Sequence, residues 1–254
     1  MKIALLGYGK MGQFIEQLAV AAGDEIVLIV EENNRGQVTA ADLAVAEVAI
    51  DFTQPEAAIP NIDLAIAAGV PIVVGTTGWL ADLAAVTARV ISANGTLFWA
   101  SNFSIGVNVF FAAAERASEL VNRYGSYTVS VEEIHHTQKL DAPSGTGITL
   151  AERVGEQLDD YDSWALASVR SLAPQKNIAP AAAPKKGKTA VPITSVREDG
   201  VPGTHTLELS SPVDTLLLQH IAHSREGFAT GALTAARWVV GKKGVFTMTD
   251  LLGI

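Results

Sequence analysis

The sequence predicts an α/β protein in two parts, a doubly wound parallel sheet followed by a second α/β part built on a different sheet. Three observations carry this prediction. Apolar runs of strand length alternate with helical segments between residues 2 and 100, and a glycine-rich turn joins the first strand to the first helix. After Ser104 the pattern changes to one long helix and then to strands separated by short turns. Strand–helix alternation of the first kind predicts a parallel sheet with helices on both faces.

Composition limits the function classes. The chain has 254 residues, of which 48% are hydrophobic, so it can build one large core or two modest ones. Its net charge of −9 argues against a nucleic-acid partner. It has no cysteine, which excludes disulfides and thiolate metal sites and fits a reducing cytoplasm. The first apolar run is too short for a signal peptide, and no apolar stretch is long enough to cross a membrane. We therefore expect a cytoplasmic protein with neither a nucleic-acid nor a membrane partner.

The first strand, Lys2–Leu6, runs directly into a glycine motif. Gly7 permits a tight turn, Gly9 lets a pyrophosphate approach the backbone, and Gly12 lets the helix pack on the strand. The residues that follow have helical spacing, namely Met11, Phe14, Ile15, Leu18 and Ala22. This context predicts a dinucleotide site of the Rossmann type. The alternative is a tight strand–helix turn that binds no ligand.

A carboxylate at the end of the second strand extends this hypothesis. Glu31 follows the strand Glu25–Val30, about 20 residues beyond the glycines, where an acid suits a ribose diol. Glu32 is adjacent, and Lys10 and Arg35 are the nearby cations. A binding site for NADP usually offers cations to the 2′-phosphate, so this balance of charge favours NADH and leaves NADPH open.

The alternation continues to residue 100. We predict strands at 48–52, 71–74 and 97–100, and helices at 57–68 and 80–93. Ligands of such sheets bind at the carboxyl ends of the strands. The loops at those ends contain small polar residues and backbone N–H groups that could contact a nicotinamide: Gly75, Thr76, Thr77, Ala100, Ser101, Asn102 and Phe103.

The second half predicts a different arrangement. A helix over 106–124 ends near Gly125, and alternation over 127–136 predicts a strand. Residues 171–190 are rich in Ala, Pro and Lys, which predicts a loop. Strands at 193–197, 204–210 and 214–222 with short turns between them indicate a mostly antiparallel sheet. A helix over 225–240 then closes the chain, with a tail at 241–254.

The segment 133–146 concentrates groups that carry chemistry. His135 and His136 titrate near neutral pH, and Lys139 is a cation that can donate a proton. Because the two histidines are adjacent at a strand end, they should point to opposite sides and have different roles. Ser144, Gly145 and Thr146 open a helix running to about residue 158, and backbone N–H groups there can bind an anion. The segment predicts a pocket for a small acidic molecule.

Other polar residues have less definite roles. Asp141 is expected to order the turn before Pro143 through nearby N–H groups, and Glu133 either orients a neighbour or faces solvent. The remaining histidines, among them His205, are on separate segments without acids or cysteines at ligand spacing. We therefore predict no metal site. The role of Arg225 is left open.

Taken together, these motifs resemble the 4-hydroxy-tetrahydrodipicolinate reductase family, also called dihydrodipicolinate reductase. The resemblance spans nearly the whole chain except residues 160–190. The most specific part is the Glu-Ile-His-His segment at 133–136, followed by Lys139 and by Asp-Ala-Pro-Ser-Gly-Thr at 141–146. The glycine motif at 7–12, the loops at 51–53, 75–78 and 102–108, His205, and the segment 225–229 also match.

The resemblance implies a two-domain enzyme of lysine biosynthesis that assembles as a homotetramer. Residues 1–105 and 226–254 would form the dinucleotide-binding domain, and 106–225 a mixed α/β domain for substrate binding and oligomerisation. Domain closure would bring the nicotinamide to the substrate, a cyclic dicarboxylate that loses water as it accepts hydride. His135 and Lys139 match the family's proton donors. His136, Ser144, Gly145 and Thr146 match its carboxylate-binding groups. Its cofactor contacts carry over to Gly7, Lys10, Met11, Gly12, Glu31, Gly75, Thr76, Thr77, Ala100, Asn102 and Phe103.

Two other functions remain as alternatives. An amino-acid-type dehydrogenase could share the two-domain plan, although it would not explain Ser144 to Thr146 after paired histidines. A regulator that senses NADH without turnover would bind the same cofactor but would not need His135 and Lys139 as proton donors.

Overall fold

The computed structural model describes residues 1–171, 177–181, 183–224 and 226–254. The chain divides into two compact units, one formed by Met1–Ile105 with Glu226–Ile254 and the other by Gly106–Arg225. Within the described residues, no helix has the length and apolar character needed to cross a membrane. Arg225, whose role the sequence left open, lies outside the described residues, as do 172–176 and 182.

The elements follow one another in chain order: β1 (Lys2–Leu6), α1 (Lys10–Ala21), β2 (Glu25–Val30), α2 (Ala40–Leu43), β3 (Val48–Asp51), α3 (Pro55–Ala68), β4 (Ile72–Val74), α4 (Leu83–Ser92), β5 (Thr96–Trp99), α5 (Ile105–Asn122), β6 (Thr128–His135), β7 (Asp141–Ala142), α6 (Gly145–Gly155), β8 (Tyr161–Arg170), β9 (Asn177–Ile178), β10 (Thr189–Arg197), β11 (Gly203–Ser210), β12 (Thr215–Ala222), α7 (Glu226–Val239), β13 (Gly244–Phe246) and α8 (Met248–Leu252).

The first unit is a parallel sheet with strand order β13-β5-β4-β3-β1-β2. One apolar cluster joins the sheet to α1 and α7, and a second joins it to α3 and α4. Both faces of the sheet are therefore covered, which explains why its strands read as continuous apolar runs in the sequence. The predicted doubly wound parallel sheet is confirmed.

The predicted tail at 241–254 is wrong, because it contains β13 and α8. β13 adds the edge strand of the first sheet by pairing Gly244 with Thr96 on β5. The strand has three residues and begins with Gly244 at a positive φ of 123°. A strand this short, with a glycine in place of an apolar residue, gives no periodic signal.

The second unit has a five-stranded sheet with order β12-β11-β6-β10-β8. β11 runs antiparallel to β6 and β12, whereas β10 runs parallel to β6 and β8. The sheet is mixed, as the family resemblance implies, and the mostly antiparallel arrangement expected from turn lengths is wrong. The error comes from β8, which was not predicted. Among its ten residues only Trp164 is buried, so it shows no regular alternation.

The predicted loop at 171–190 is partly wrong. It contains β9, which pairs in parallel with β7 through Asp141 and Asn177, and β10 begins at Thr189. The other predicted boundaries differ by a few residues. The helix expected at 80–93 starts as a 3₁₀ turn at Leu80–Asp82 before α4, and α6 ends at Gly155. Gly125 has a positive φ of 66° but follows the end of α5 by three residues instead of capping it.

Candidate active site

Strand β6 sorts its side chains into two faces. Val129, Val131, Glu133 and His135 are buried, while the residues between them are more exposed. The strand ends at His135, and His136 follows it as a half-buried residue. The predicted alternation therefore places His135 on the buried face, together with Glu133, for which the sequence left open whether it orients a neighbour or faces solvent.

Glu133 is fully buried, and polar groups contact both of its carboxylate oxygens. Its Oε2 pairs with Nδ1 of His135, and its Oε1 accepts from Nη2 of Arg197 at 3.0 Å. The backbone N–H of Ser144 lies 3.4 Å from the same Oε1. Burial alone would raise the pKa of Glu133, but hydrogen bonds from His135, Ser195 and Arg197 and the charge of His135 outweigh it and lower the pKa to about 2. Glu133 is therefore an ionised carboxylate that orients His135.

Arg197 ends β10 beside β6, in register with His135. Besides Glu133, its Nη2 donates to the backbone carbonyl of Asp141 at 2.6 Å, and its Nη1 donates to that of Val196 at 2.7 Å. The side chain is fully buried. A buried guanidinium needs acceptors on several sides, and here they come from one carboxylate and two carbonyls.

The start of α6 is organised by Ser144. Its Oγ caps the helix by accepting from the N–H of Gly147 at 3.1 Å, and it lies 3.1 Å from Nε2 of His205. A Cβ at Gly147 would lie 3.2 Å from Oγ of Ser144 and 3.4 Å from Cγ of Glu133, so the helix start packs closely on β6. The N–H groups of Gly145 and Thr146 belong to this first turn, where the helix dipole favours an anion.

His205 on β11 was expected to be structural or peripheral, without acidic company. The structure corrects the second point, because a ligand atom of His205 lies within 4.8 Å of one on Glu133. Its ring also packs edge-on against His135, with 5.1 Å between ring centres. Burial is the main cause that lowers the pKa of His205 to about 3, and the charges of His135 and Lys139 act in the same direction. The ring is therefore neutral at physiological pH, and it contacts both the hydroxyl of Ser144 and the ring of His135.

Lys139 lies on the loop between β6 and β7. Its Nζ pairs with the carboxylate of Asp141 at 2.9 Å, and its backbone N–H donates to the carbonyl of His136 at 3.1 Å. Asp141 was expected to order the turn through backbone N–H groups. Instead its carboxylate pairs with Lys139, because β7 directs the Asp141 backbone towards Arg197 and β9.

The structure brings Glu133, His135 and His205 together with candidate ligand atoms within 4.8 Å of one another. The sequence predicted no metal site, since His205 is on a separate segment from Glu133 and His135. Arg197 already pairs with one oxygen of Glu133, and His135 pairs with the other. A metal ion would have to compete with both contacts, so the donor set fits a hydrogen-bonded network better than a metal site.

The glycine turn of the first unit connects β1 to α1. Gly7 has a positive φ of 91°, and a Cβ there would lie 2.3 Å from the carbonyl oxygen of Phe52. A Cβ at Gly12 would lie 2.3 Å from the carbonyl oxygen of Gly7. Gly9 is different, since a Cβ there would meet no described atom within 4 Å. It precedes α1, and within the described part of the chain no side chain caps the first N–H groups of this helix by a hydrogen bond.

The other predicted cofactor loops are held by the first unit itself. Thr76 is buried, and its hydroxyl donates to Asp51 at 2.9 Å while accepting from the N–H of Thr53 at 2.7 Å. Burial raises the pKa of Asp51 despite these bonds. Gly75 lies against the ring of Phe52, where a Cβ would be 2.1 Å from the nearest ring carbon.

Phe103 is also used by the fold, because its ring packs between those of Phe98 and Phe52. The side chains of Thr76 and Phe103 are thus committed to the core, and the backbone carbonyl of Thr76 accepts from the indole N–H of Trp79 at 2.8 Å. Ala100 is buried beside them, whereas Ser101 and Thr77 are exposed and Asn102 is half-buried. The side chain of Asn102 orders its loop by accepting from the N–H of Ser104 at 2.9 Å.

Glu31 is exposed directly after β2, and its N–H donates to the side chain of Asn34. Lys10 is exposed, and Met11 is half-buried. Arg35 is directed to α3, where it donates to Asn61 at 2.6 Å and to the carbonyl of Pro60 at 3.0 Å. A phosphate near Glu31 would therefore meet a carboxylate, while the guanidinium of Arg35 is already bonded.

Comparisons with known proteins cover both units. Residues 1–103 match the family model for the N-terminus of dihydrodipicolinate reductase, and residues 106–252 match that for its C-terminus. The 4-hydroxy-tetrahydrodipicolinate reductase of Christiangramia forsetii is 40% identical over 254 residues, which cover 99% of this chain and 98% of that one. The enzyme of the same name from Methanoregula boonei is 34% identical over 209 residues, which cover 82% of this chain and 75% of that one.

Solved structures agree on the fold. A dipicolinate-bound dihydrodipicolinate reductase from Paenisporosarcina sp. TG-14 superposes with a TM-score of 0.76 at 22% identity, covering 98% of both chains. An amine dehydrogenase from Mycobacterium smegmatis gives a TM-score of 0.57 at 14% identity, covering 98% of this chain and 95% of that one. At these identities both structures inform the fold alone.

Proposed function

The chain belongs to the dihydrodipicolinate reductase family, and we propose that it reduces 4-hydroxy-tetrahydrodipicolinate with NAD(P)H. The product is tetrahydrodipicolinate, formed with loss of water in the diaminopimelate route to lysine. The observation that carries the proposal is the buried Glu133–His135 pair beside Ser144 at the start of α6. It combines a proton donor with an anion site, as reduction of a dicarboxylate requires.

The first unit fits a nicotinamide dinucleotide at its glycine turn. Gly7 and Gly12 are required by packing within the protein, whereas Gly9 has no such requirement among the described residues. A glycine there is accounted for by a ligand that approaches the backbone at the start of α1. The residues that would hold the cofactor are those predicted from the sequence, with Thr76 and Phe103 contributing backbone groups. When bound, the reduced nicotinamide supplies the hydride.

The second unit supplies binding and protons. The substrate is a dianion, so one carboxylate would bind at the N–H groups of Gly145 and Thr146 with Ser144, and the other near His136. Reduction consumes one hydride and one proton and releases one water. His135 or Lys139 donates the proton to the atom that receives the electron pair. Proton donation of this kind contributes roughly two to four orders of magnitude in rate.

NADH is the favoured cofactor in this proposal, with NADPH as the second. Glu31 offers a carboxylate where the adenosine ribose would bind, and Arg35 is engaged with Asn61 and Pro60. A 2′-phosphate would lack a free cation from that side chain. Comparing the KM values for the two cofactors tests this point, and a clear preference for NADPH would contradict it.

We also propose that the second unit assembles a homotetramer through its sheet. β12 is an edge strand bonded to β11, and its exposed side chains include Leu216, Leu217 and Ile221. An exposed apolar edge strand is a pairing surface that a monomeric protein usually avoids. The cytoplasmic location stays a prediction.

The function is tested by following NADH absorbance with freshly made condensation product of pyruvate and aspartate semialdehyde. We expect oxidation that depends on both precursors and that pyridine-2,6-dicarboxylate inhibits in competition with the substrate. The control omits pyruvate. If NADH and NADPH are oxidised no faster than in that control, the proposed function is wrong. The amino-acid-type dehydrogenase alternative would instead be supported by NADH formation from an amino acid and NAD.

A further inference from the structure

A buried chain of charges lies behind the two proton donors, and it suggests roles for residues that touch neither substrate nor cofactor. We propose that Arg197 and Glu133 are positioning residues that hold both His135 and Lys139 in place for proton donation. This inference rests on the proposed function, because it presupposes that these two donors act on the substrate.

The first link runs from Glu133 to His135. An ionised carboxylate accepts hydrogen bonds and donates none, so the contact between Oε2 and the His135 ring assigns a proton to Nδ1. The second ring nitrogen, Nε2, is then the atom that can exchange a proton with substrate. Space beside it is kept by Gly203, where a Cβ would lie 3.1 Å from Nε2. Glu133 thus fixes the tautomer, the ring plane and the charge next to the ring.

The second link runs from Arg197 to Glu133. Both side chains are fully buried, and Nη2 to Oε1 measures 3.0 Å. Adjacent strands β6 and β10 place Ser195 opposite Glu133 and Arg197 opposite His135. An ionised carboxylate buried without a cation would be strongly unfavourable. Arg197 therefore allows Glu133 to remain charged behind His135 and restrains its position.

The third link runs from Arg197 to Lys139. The same Nη2 donates to the Asp141 carbonyl at 2.6 Å, and the Asp141 carboxylate pairs with Nζ of Lys139 at 2.9 Å. The guanidinium of Arg197 is therefore bonded to Glu133, which holds His135. It is also bonded to the backbone of Asp141, whose carboxylate pairs with Lys139. Displacing Arg197 should disturb both donors together, which distinguishes its role from that of an ordinary buried ion pair.

The groups packed around His135 include Glu133, Arg197 and His205. Glu133 and Arg197 carry opposite charges, and His205 on β11 is neutral. Lys139 is near enough for its charge to act on His205. Lys139 therefore adds positive charge near these rings, which also attracts a dianionic substrate.

The test compares Glu133→Gln, Arg197→Met and the double variant in the NADH oxidation assay. Each single variant leaves one buried charge without its partner, whereas the double variant removes both charges. We expect kcat to fall by about 100-fold in all three, a loss typical of a misplaced catalytic group. The NADH dissociation constant should stay within about twofold of the parent, since the cofactor site belongs to the other unit.

A merely structural role gives a different result, because the double variant would regain parental kcat along with stability. Matched controls come from the adjacent exposed pair between Glu132 on β6 and Arg170 on β8. Glu132→Gln and Arg170→Met should change kcat less than twofold. Parental kcat in a folded Glu133→Gln or double variant would overturn the proposal.

A second measurement does not depend on a variant that folds poorly. The parent protein is labelled with ¹⁵N-histidine, and the NMR signals of His135 are assigned by their loss in His135→Gln. We expect the spectrum to show a proton on Nδ1 of His135. A proton on Nε2 alone would overturn the proposal. The same His135→Gln variant separates this inference from the proposed function. The proposed function fails if the parent protein itself does not oxidise NADH or NADPH in the assay, whereas only the donor and positioning roles fail if His135→Gln turns over at the parental rate. If it is slow while Glu133→Gln is not, only the positioning role fails.

Discussion

At the residue scale, the three glycines of one motif have different reasons to be glycine. The backbone of Gly7 is in the left-handed region, and a Cβ there would collide with the carbonyl of Phe52. Gly12 approaches the carbonyl of Gly7 too closely for any side chain. Gly9 has an ordinary φ of −74° and open space around it among the described residues. The motif therefore combines two glycines that the fold requires with one that a ligand would require.

This difference predicts separate effects on stability and binding. Gly9→Ala should leave the melting temperature unchanged and raise the NADH dissociation constant by about tenfold, because its methyl group would face the pyrophosphate. Fluorescence titration with NADH measures the binding constant. Gly36→Ala is the matched control, since it also adds a methyl group in open space of the first unit. Unchanged NADH affinity in Gly9→Ala would mean that the turn serves folding alone.

Sequence reasoning at this scale found the groups that we propose to face the substrate, but not all of the buried groups that contact them. His135, Lys139 and Ser144 are within ten residues of one another and form a recognisable motif. Arg197 is 64 residues from Glu133, and His205 is 61 residues from Ser144. Their contacts depend on the pairing of β10 and β11 with β6, which no local pattern specifies. The alternating pattern of β6 did place Glu133 on the same face as His135, and that was the available signal.

At the element scale, the neutral side chain of His205 on β11 contacts the start of α6. His205 lies 3.1 Å from the serine that caps α6, and burial keeps its ring uncharged. A histidine whose pKa is lowered in the folded state binds more protons when unfolded, so stability falls as pH decreases below the unfolded value. With a folded pKa of about 3 and an ordinary value of 6.5, the loss begins near pH 6.5 and continues towards pH 3.

Urea unfolding at pH 7 and pH 5 measures this effect. We expect His205 to contribute about 2 kcal/mol to the loss of unfolding free energy between these values. His205→Asn should remove that contribution and flatten the dependence on pH, whatever its effect on stability at pH 7. His223→Asn, at an exposed position of the same unit, should keep the parental slope. Equal slopes in the parent and in His205→Asn would show that the ring is not held neutral.

The elements predicted best are those with strong periodicity. The boundaries of β1, α1 and β2 match the expectation closely because the apolar pattern and the glycines act together. β8 and β13 were missed because one buries a single residue and the other has three residues. Both lie at sheet edges, where fewer side chains need to be apolar.

At the scale of the whole molecule, the chain leaves its first unit after residue 105 and returns to it at residue 226. The returning segment supplies α7, which packs on the same side of the parallel sheet as α1, and the edge strand β13. The sequence suggested the return of the last helix but not of the strand after it. The alternatives also separate at this scale, because a regulator needs only the dinucleotide site, whereas an enzyme needs the proton donors of the second unit as well.

In the proposed function, the second unit donates the proton for reduction while the first unit binds the cofactor. Steady-state turnover of Lys139→Ala, measured beside its NADH dissociation constant, tests this most directly. Lys185→Ala is the control, since that side chain is 87% exposed in the same unit. We predict a loss of kcat of about two to four orders of magnitude with unchanged NADH affinity. Reduction of the substrate by Lys139→Ala at the parental rate would contradict the account.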